Sequence, residues 1–441
     1  MKEKSRLPFV LKRSDETAPT LLPRIQRADR QQVDPQPRRL DALIDWEHPA
    51  RVVWDFVEGL DLSVLYERIR AVEGHAGRSA IDARILLALW LYATLDGVGS
   101  ARRLARLCQE HNAYRWLCGG VSVNYHTLSD FRVEHGAWLE EQLTVQVATL
   151  LAEGLVELNR TAQDGVRVRA NAGASSFRRR RTLEQCLHEA EEHMAALRRE
   201  REENPGVVHQ RRQAAQERAV RERQARIEAA LDQLAEVEAQ KKADEKDKAR
   251  SSTTDAEARV MKMPDGGFRP AYNGQFCTDT PSQIIVGVEV SNAGNDQGQM
   301  VPMLDRVADH YGQYPDEALV DGGFVNKDAI TAVAAPARNV TLYAPVPNPK
   351  DPGRDPYQPL PTDSPAVAQW RQRMGSEAAK AIYKVRAATA ECVNALARNR
   401  GLQQFRVRGL KKVKAVLLWF ALAHNLMRGA ALRRQAAAHA A

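Results

Sequence analysis

Three acidic residues stand where the sequence could bring carboxylates together. Asp164 opens the strand-like run DGVRVRA, and Asp321 ends the run ALVDGG, where two glycines allow a sharp turn. Glu391 lies on a late helical segment of small and basic residues and is the only acid after Glu377. The carboxyl ends of strands are where α/β folds place their sites. Two strand-end aspartates and a helix glutamate would suit a Mg²⁺-dependent phosphoryl-transfer site, since hard cations take oxygen ligands.

Each of these acids taken alone is more often a surface carboxylate or a helix cap. Asp296, in AGNDQGQ, is the alternative for the second acidic position. Arg398 follows Glu391 by seven residues, which is about 20° around a helix at 100° per residue, so the two should share a face. We therefore expect Arg398 beside the acids and in contact with a phosphate.

The placement of positive charge indicates a polyanionic partner. The net charge is +8, and no acid follows Glu391. A basic segment of this kind binds phosphates by releasing condensed counterions, although it could also serve solubility alone. The ten basic residues of this segment are Arg398, Arg400, Arg406, Arg408, Lys411, Lys412, Lys414, Arg428, Arg433 and Arg434.

Several protein classes are excluded by composition. The five cysteines form no CxxC pair, which argues against zinc ribbons and disulfide scaffolds and favours a reducing cytoplasm. No apolar run approaches the roughly 18 residues of a membrane span; the runs near 85–95 and 415–426 look too short. The first residues lack the apolar core of a signal peptide.

The N-terminal part is predicted to be helical after a disordered basic arm at 1–40. Within 41–157, an apolar helix ends near Gly97, Ser100 caps the next helix, and Asn124 caps a third. The two helices at 100–118 and 125–140 resemble a helix-turn-helix arrangement, a pattern that many helical bundles share.

The remainder reads as an interrupted α/β region. Around 161–170 the pattern alternates, with Val166 and Val168 on one face, which is typical of a strand. Residues 178–259 are a charged insertion without aromatic residues, predicted as a helical hairpin or coiled-coil arm, broken near Pro205. Strand patterns then return in FRPAYNGQFC, IIVGVEV, EALVDGG and NVTLYAPV, with helical patterns at 299–310 and 326–334 between them, followed by a helical segment at 365–400.

These motifs resemble those of the DDE transposases of bacterial insertion sequences, in the group with an InsH-type helical N-terminal domain. The resemblance runs from about residue 45 to 428. Its N-terminal motifs are VEGLDLS, SARRLARLCQEHNAYRWLCGG and HTLSDFR. Its later motifs are DGVRVRANAG, YNGQF, SNAGNDQGQM, VDGGF and FRVRGLKKVK, with Tyr383, Arg386, Glu391 and Arg398 matching the third-acid helix.

The resemblance implies a catalytic triad of Asp164, Asp321 and Glu391, which also bind the metal. Two Mg²⁺ ions, or Mn²⁺ in their place, would activate water to free a 3′-OH at each element end, and that 3′-OH would attack target DNA. The expected DNA-binding residues are Arg398, Arg406, Arg408, Lys411, Lys412, Lys414, Arg102, Arg103, Arg106 and Arg132.

The implied fold is a ribonuclease H-like α/β catalytic core with an all-α N-terminal domain and an inserted helical arm. The expected divisions are an arm at 1–40, a DNA-binding domain at 41–157, a catalytic domain at 158–177 and 260–428, an insertion at 178–259 and a flexible tail at 429–441. Expected partners are the double-stranded terminal inverted repeats, the target DNA and a second protomer, in a homodimer or larger synaptic complex. The expected location is the bacterial cytoplasm, at the nucleoid.

Three other hypotheses compete with this one. A tyrosine recombinase uses a His-x-x-Arg pair, but His424 is followed by AsnLeuMetArg, which gives the wrong spacing. A transposase-derived protein without catalysis would bind DNA through its helical domain and basic tail alone. A metal-dependent nuclease would cut DNA without joining it.

Overall fold

The computed structural model describes residues 39–69, 79–203, 207–349, 351 and 353–440, so the expected arm at 1–40 falls almost wholly outside it. The described residues from 40 onward form one compact unit. Its helices are α1 (Pro49–Glu58), α2 (Ser63–Tyr66), α3 (Ala83–Leu95), α4 (Ala101–Glu110), α5 (Asn112–Cys118), α6 (Tyr125–Glu134), α7 (Gly136–Ala152), α8 (Arg180–Glu203), α9 (Val207–Ala239), α10 (Met300–Tyr311), α11 (Lys327–Val333), α12 (Pro365–Gly375), α13 (Glu377–Arg386), α14 (Cys392–Asn399) and α15 (Leu410–Ala440). Its strands are β1 (Arg160–Arg169), β2 (Phe177–Arg178), β3 (Ser251–Ser252), β4 (Arg259–Lys262), β5 (Phe268–Asp279), β6 (Ile285–Ser291), β7 (Glu317–Leu319) and β8 (Thr341–Tyr343).

The N-terminal helices begin where side chains cap them. The Ser100 hydroxyl accepts from the Arg103 amide at the start of α4, and the Asn124 side chain accepts from the Thr127 amide at the start of α6, as the sequence predicted. The segment 100–118 was expected to be one helix, but it divides at His111. That residue has extended backbone angles, and its Nδ1 accepts from the Ala113 amide to start α5.

A mixed sheet carries the predicted strands. β1 pairs antiparallel with β5 on one side and parallel with β7 on the other, and β8 extends the sheet beyond β7 in parallel. The other edge of β5 is shared by β4 and β6, both antiparallel. Val166 and Val168 of β1 are fully buried, which confirms the alternating pattern. β1 therefore lies inside the sheet, with neighbours on both sides.

Helix α15 is the core helix of the fold. It packs against α3, α6, α7 and β6, so the N-terminal helices and the sheet share one hydrophobic cluster. Asn425 holds the edge strand β6: its Oδ1 accepts from the Ile285 amide at 2.8 Å and its Nδ2 donates to the Ile285 carbonyl at 2.8 Å. The indole of Trp419 donates to the Arg132 carbonyl at 2.9 Å. Residues distant in sequence are thereby fixed to one another.

Two expectations about this helix are wrong. The segment 429–440, expected as a flexible tail, continues α15, because alanine favours helix and Arg433 pairs with Glu153 of α7. The apolar run of α15 is also longer than expected. Leu410–Ala440 is long and apolar enough to cross a membrane by length and composition, but 72% of its apolar window is buried inside the protein.

The charged insertion forms a helical hairpin, as predicted. Helices α8 and α9 pack together through a narrow apolar seam that includes Leu183, Ile227 and Leu234. Arg180 binds Glu238 through two hydrogen bonds at the base, next to the short β2–β3 pair. The expected break near Pro205 lies outside the described residues.

Candidate active site

Asp164 occupies the middle of β1, half-way along a strand bounded by β5 and β7. Its side chain is only 14% exposed. Its Oδ1 accepts from the Gly165 amide at 2.9 Å, and its Oδ2 accepts from Nδ2 of Asn394, on α14, at 3.0 Å. Burial raises the pKa of Asp164 to about 6, a rise that the nearby Asp321 and Asp296 reinforce and Arg386 opposes. Burial is thus the main reason that this carboxylate holds its proton more tightly than an exposed aspartate does.

Arg386 links Asp164 to Glu391. Its Nη2 lies 3.1 Å from Oδ1 of Asp164, and its Nη1 lies 2.9 Å from Oε1 of Glu391. Burial lowers the pKa of Arg386, but the surrounding anions outweigh this, Asp164 most of all, so the pKa is raised overall. Because both nitrogens belong to one guanidinium, the two carboxylates approach a single point.

A π-helical turn at Ala387–Glu391 makes this bridge geometrically feasible. In a regular α-helix, residues five apart point about 140° away from each other. The wider π turn closes i→i+5 contacts and returns Glu391 to the side of Arg386. Glu391 remains 56% exposed, so its carboxylate faces solvent as well as Arg386.

Asp321 and Asp296 lie close to Asp164, and together with Glu391 these acids form what we call the acidic patch. Asp321 follows the end of β7 and caps a short turn, its Oδ1 accepting from the Gly323 amide at 2.8 Å. A Cβ placed on Gly323 would lie 3.0 Å from Oδ1 of Asp321 and 3.7 Å from Oδ2 of Asp296. A Cβ placed on Gly165 would lie 2.3 Å from Oδ1 of Asp296. Asp296 therefore bridges the space between Asp321 and the backbone beside Asp164.

Buried amide side chains hold Asp296 in this position. Asn273 Nδ2 and Gln275 Nε2, both on β5, donate to Oδ1 of Asp296 at 2.7 and 2.6 Å. Gln163 of β1 in turn donates to Oε1 of Gln275 at 3.1 Å. All three amide residues are buried, and Oδ1 of Asn273 has no hydrogen-bond partner within the described residues. Amides fix the carboxylate without neutralising its charge.

The donor set fits a hard divalent cation in its chemistry. Asp164, Asp321 and Asp296 supply carboxylate oxygens, the ligands that Mg²⁺ prefers. In the part of the chain that the structure describes, no group of three or more His, Cys, Asp or Glu side chains is already arranged around a metal position. The positive charge between Asp164 and Glu391 is supplied instead by Arg386. Metal binding to both acids would require this guanidinium to give way.

The structure corrects two expectations about the acids. Asp164 does not open its strand but lies at its centre. β1 begins at Arg160, and β5 and β7 both pair with residues that precede Asp164. In the described part of the chain, the cation paired with Asp164 and Glu391 is Arg386, whereas Arg398 forms no ion pair with them. In the sequence, Arg386 is only one residue of the motif around Glu391. Regular α-helical spacing does not put it on the same face as Glu391, because the π turn between them changes which residues share a face.

The predicted DNA-binding residues separate into exposed and engaged groups. Lys414, predicted as a phosphate contact, is instead bound to Glu140 at 3.0 Å and Glu289 at 3.3 Å, in a cluster that Arg306 completes. Arg132 is half-buried over the Trp90 ring, and its Nη1 donates to the Gly99 carbonyl at 2.6 Å. The others lie on the surface: Arg102, Arg103, Arg106, Arg398, Arg406, Arg408, Lys411 and Lys412.

Two segments of the chain match models of known families. Residues 38–134 match a transposase domain (DUF772), and residues 360–430 match a transposase DDE domain. Transposase domains therefore lie in both halves of the chain. Together the matches are consistent with a DDE transposase of an insertion element. Searches of curated proteins and of solved structures found no significant match.

The two transposase matches leave the central acids uncovered. The second match includes Arg386, Glu391 and Asn394, whereas Asp164, Asp296 and Asp321 fall between the matched segments. The contacts of Arg386 and Asn394 with Asp164 tie the uncovered β1 to the matched helix. The acidic patch thus combines residues inside the matched DDE segment with residues outside both matched segments.

Proposed function

We propose that this chain is a DNA transposase that cuts the ends of an insertion sequence and joins them to target DNA. The observation that carries the proposal is the shared guanidinium of Arg386, which brings Asp164 of β1 and Glu391 of the matched DDE segment to one point. Asp321 lies beside them and contributes to the pKa shift of Asp164. The proposed catalytic and metal-binding acids are Asp164, Asp321 and Glu391.

Two bound Mg²⁺ ions would supply an activated nucleophile and stabilise the leaving 3′ oxygen of the scissile phosphate. The residues of the chain would position this chemistry. Asn394 and the Gly165 amide orient the two oxygens of Asp164, and the turn after β7 orients Asp321. No protein nucleophile is required, because water would attack the phosphate at the element end and the freed 3′-OH would then attack a phosphate of the target DNA.

We further propose a ribonuclease H-like core for the sheet at 158–177 and 260–428. Its support is the order β6-β5-β1-β7-β8, with antiparallel pairing on one side of β1 and parallel pairing on the other. The helices at 41–157 and the exposed cations near the C-terminus would bind the terminal repeats and target DNA. Bringing two ends together implies at least two protomers, acting in the bacterial cytoplasm.

The test is an assay on duplex DNA that carries the terminal inverted repeats flanking the coding sequence. With Mg²⁺, a transposase cleaves the repeat ends and joins them to a second duplex. Cleavage without joining indicates a nuclease, and specific binding without cleavage indicates a DNA-binding protein that has lost catalysis. An Asp164→Asn protein serves as the control, since it should retain binding and lose both reactions.

A further inference from the structure

A basic cavity lies between the N-terminal helices and the segment after α14. Its volume is about 410 Å³, within the range of sites that hold small molecules. Among the described residues that line it, Asp96 is the one acid, and its Oδ2 already accepts from the Tyr114 hydroxyl at 2.8 Å. Six arginines line this cavity: Arg103, Arg132, Arg169, Arg398, Arg400 and Arg406.

The six arginines of the cavity differ in how far they are buried. Arg103, Arg169, Arg398 and Arg406 are exposed at the rim, whereas Arg132 and Arg400 are half-buried. Buried Nε of Arg132 and buried Nη1 of Arg400 have no hydrogen-bond partner within the described part of the chain. Burial lowers the pKa of Arg132 to about 10 and also lowers that of Arg400. Six guanidinium groups around one cavity, with a single acid that is already hydrogen-bonded, favour an anion as its occupant.

The cavity walls are held by backbone contacts. The Arg169 amide donates to the Gln403 carbonyl at 3.2 Å, and the Phe405 amide donates to the Arg169 carbonyl at 2.8 Å, so β1 runs directly into the cavity wall. Gly401 lies so close to Gly97 that a Cβ on it would approach the Gly97 carbonyl oxygen to 2.9 Å. Backbone hydrogen bonds and this close glycine contact therefore fix the segments that carry the arginines.

Ideal strand and helix geometry gives the approximate separation of the cavity arginines from the acids along β1 and α14. Arg169 follows Asp164 by five strand residues, which is about 17 Å at roughly 3.4 Å per residue. Arg398 follows Glu391 by seven helix residues, which is about 10 Å at 1.5 Å per residue. Successive base pairs of a duplex are about 3.4 Å apart, so the cavity lies about three to five base pairs from the acids.

We propose that this cavity binds backbone phosphates of the element-end DNA, about three to five nucleotides from the cleavage position. The inference rests on the proposed transposase function and adds to it a positioning site built by both halves of the chain. Guanidinium groups suit this role because they bind phosphate oxygens in a fixed planar geometry. Held at this point, the duplex could meet the acidic patch in only one register.

The first experiment measures affinity for terminal-repeat duplex over a series of salt concentrations, without Mg²⁺. An Arg398→Gln/Arg406→Gln protein should bind about tenfold more weakly, with a salt slope shallower by about 1 to 2. The matched control is Arg198→Gln/Arg199→Gln, which removes the same charge from exposed positions of α8. Arg400→Gln tests the interior of the cavity, after thermal unfolding has shown that it folds.

The second experiment replaces single phosphates of the repeat by uncharged methylphosphonates. Wild-type protein should lose affinity at one or two positions about three to five nucleotides from the cleavage point. The cavity variants should no longer respond at those positions, a result that a general packing defect would not produce.

The outcomes separate this inference from the proposed function. If wild-type protein binds repeat DNA but the cavity variants match the α8 control, the cavity is not a DNA site while the transposase proposal stands. If wild-type protein does not bind repeat DNA at all, both proposals fail. If inorganic phosphate binds the cavity but methylphosphonates have no position-dependent effect, the cavity takes free anions and the DNA assignment is overturned.

Discussion

Arg386 and Glu391 lie five residues apart on one continuous helical segment and form an ion pair of 2.9 Å across its π turn. The same guanidinium holds Asp164 of β1. One guanidinium thus balances the negative charge of two carboxylates that the proposed reaction needs as metal ligands. Arg386 stabilises the acidic patch when no metal is bound. When metal ions bind, the guanidinium would compete with them for the same carboxylate oxygens.

Replacing Arg386 by Gln should lower stability and increase the response to Mg²⁺. Removing one partner of a buried pair costs about 3 kcal/mol, at the low end of the usual range because Asp164 keeps two hydrogen bonds. The carboxylates left without a cation should bind Mg²⁺ more tightly, so added Mg²⁺ should raise the Tm more than in wild type. Thermal unfolding with and without Mg²⁺ measures both effects. Equal Mg²⁺ shifts in the two proteins would show that the ion binds elsewhere.

Replacing Glu391 by Gln should abolish Mg²⁺-dependent cleavage and leave DNA binding nearly unchanged. The metal ligand loses its charge, while the amide of glutamine keeps the shape of this side chain, which is 56% exposed. The loss should exceed about 100-fold, since even residues that only support metal ligands contribute 10–100-fold. Cleavage rate and DNA affinity are measured on the same repeat duplex. Glu377→Gln, an exposed acid paired with Lys380 on α13, is the control and should cleave normally.

The elements of the fold could largely be predicted from the sequence, because each has a local cause. Ser100 and Asn124 cap their helices as expected, and the alternation of Val166 and Val168 identifies β1. Where the prediction failed, the cause was contact between distant segments. Asp164, expected to open its strand, lies inside β1 because β5 and β7 pair with the residues that precede it.

The candidate site was predictable only in part. Asp164, Asp321 and Glu391 could be selected from the sequence, but the role of Arg386 depends on a π turn that carries no simple residue pattern. The anchoring of Asp296 depends on two amides of β5 that donate to it across the sheet. Lys414 had the composition of a phosphate contact, yet Glu140 and Glu289 reach it from other elements.

Replacing Gly165 by Ala should displace Asp296 and impair cleavage. The new Cβ would lie 2.3 Å from Oδ1 of Asp296 and 2.7 Å from Nε2 of Gln275, both buried and hydrogen-bonded to each other. Overpacking of this kind costs about 1–3 kcal/mol. Gly322→Ala is the matched control, because nothing lies within 4 Å of its Cβ position although it adjoins Asp321. Unfolding in urea and cleavage rates are compared for both. Equal behaviour of the two variants would show that the tight packing of Asp296 does not matter for the site.

The buried His424 should make the protein lose stability as pH falls below about 6.5. Burial lowers the pKa of His424 to about 4, and Arg400 and Arg428 add to this, while its Nε2 lies 2.9 Å from the Gln283 carbonyl. The unfolded chain, with an ordinary histidine pKa of 6.5, therefore binds the proton first, so stability decreases by up to about 1.4 kcal/mol per pH unit between about 6.5 and 4. His424→Gln keeps an N–H donor for Gln283 and should flatten the dependence in this window. Urea unfolding from pH 7 to 4.5 measures the two slopes, and parallel slopes would assign the acid sensitivity to other groups.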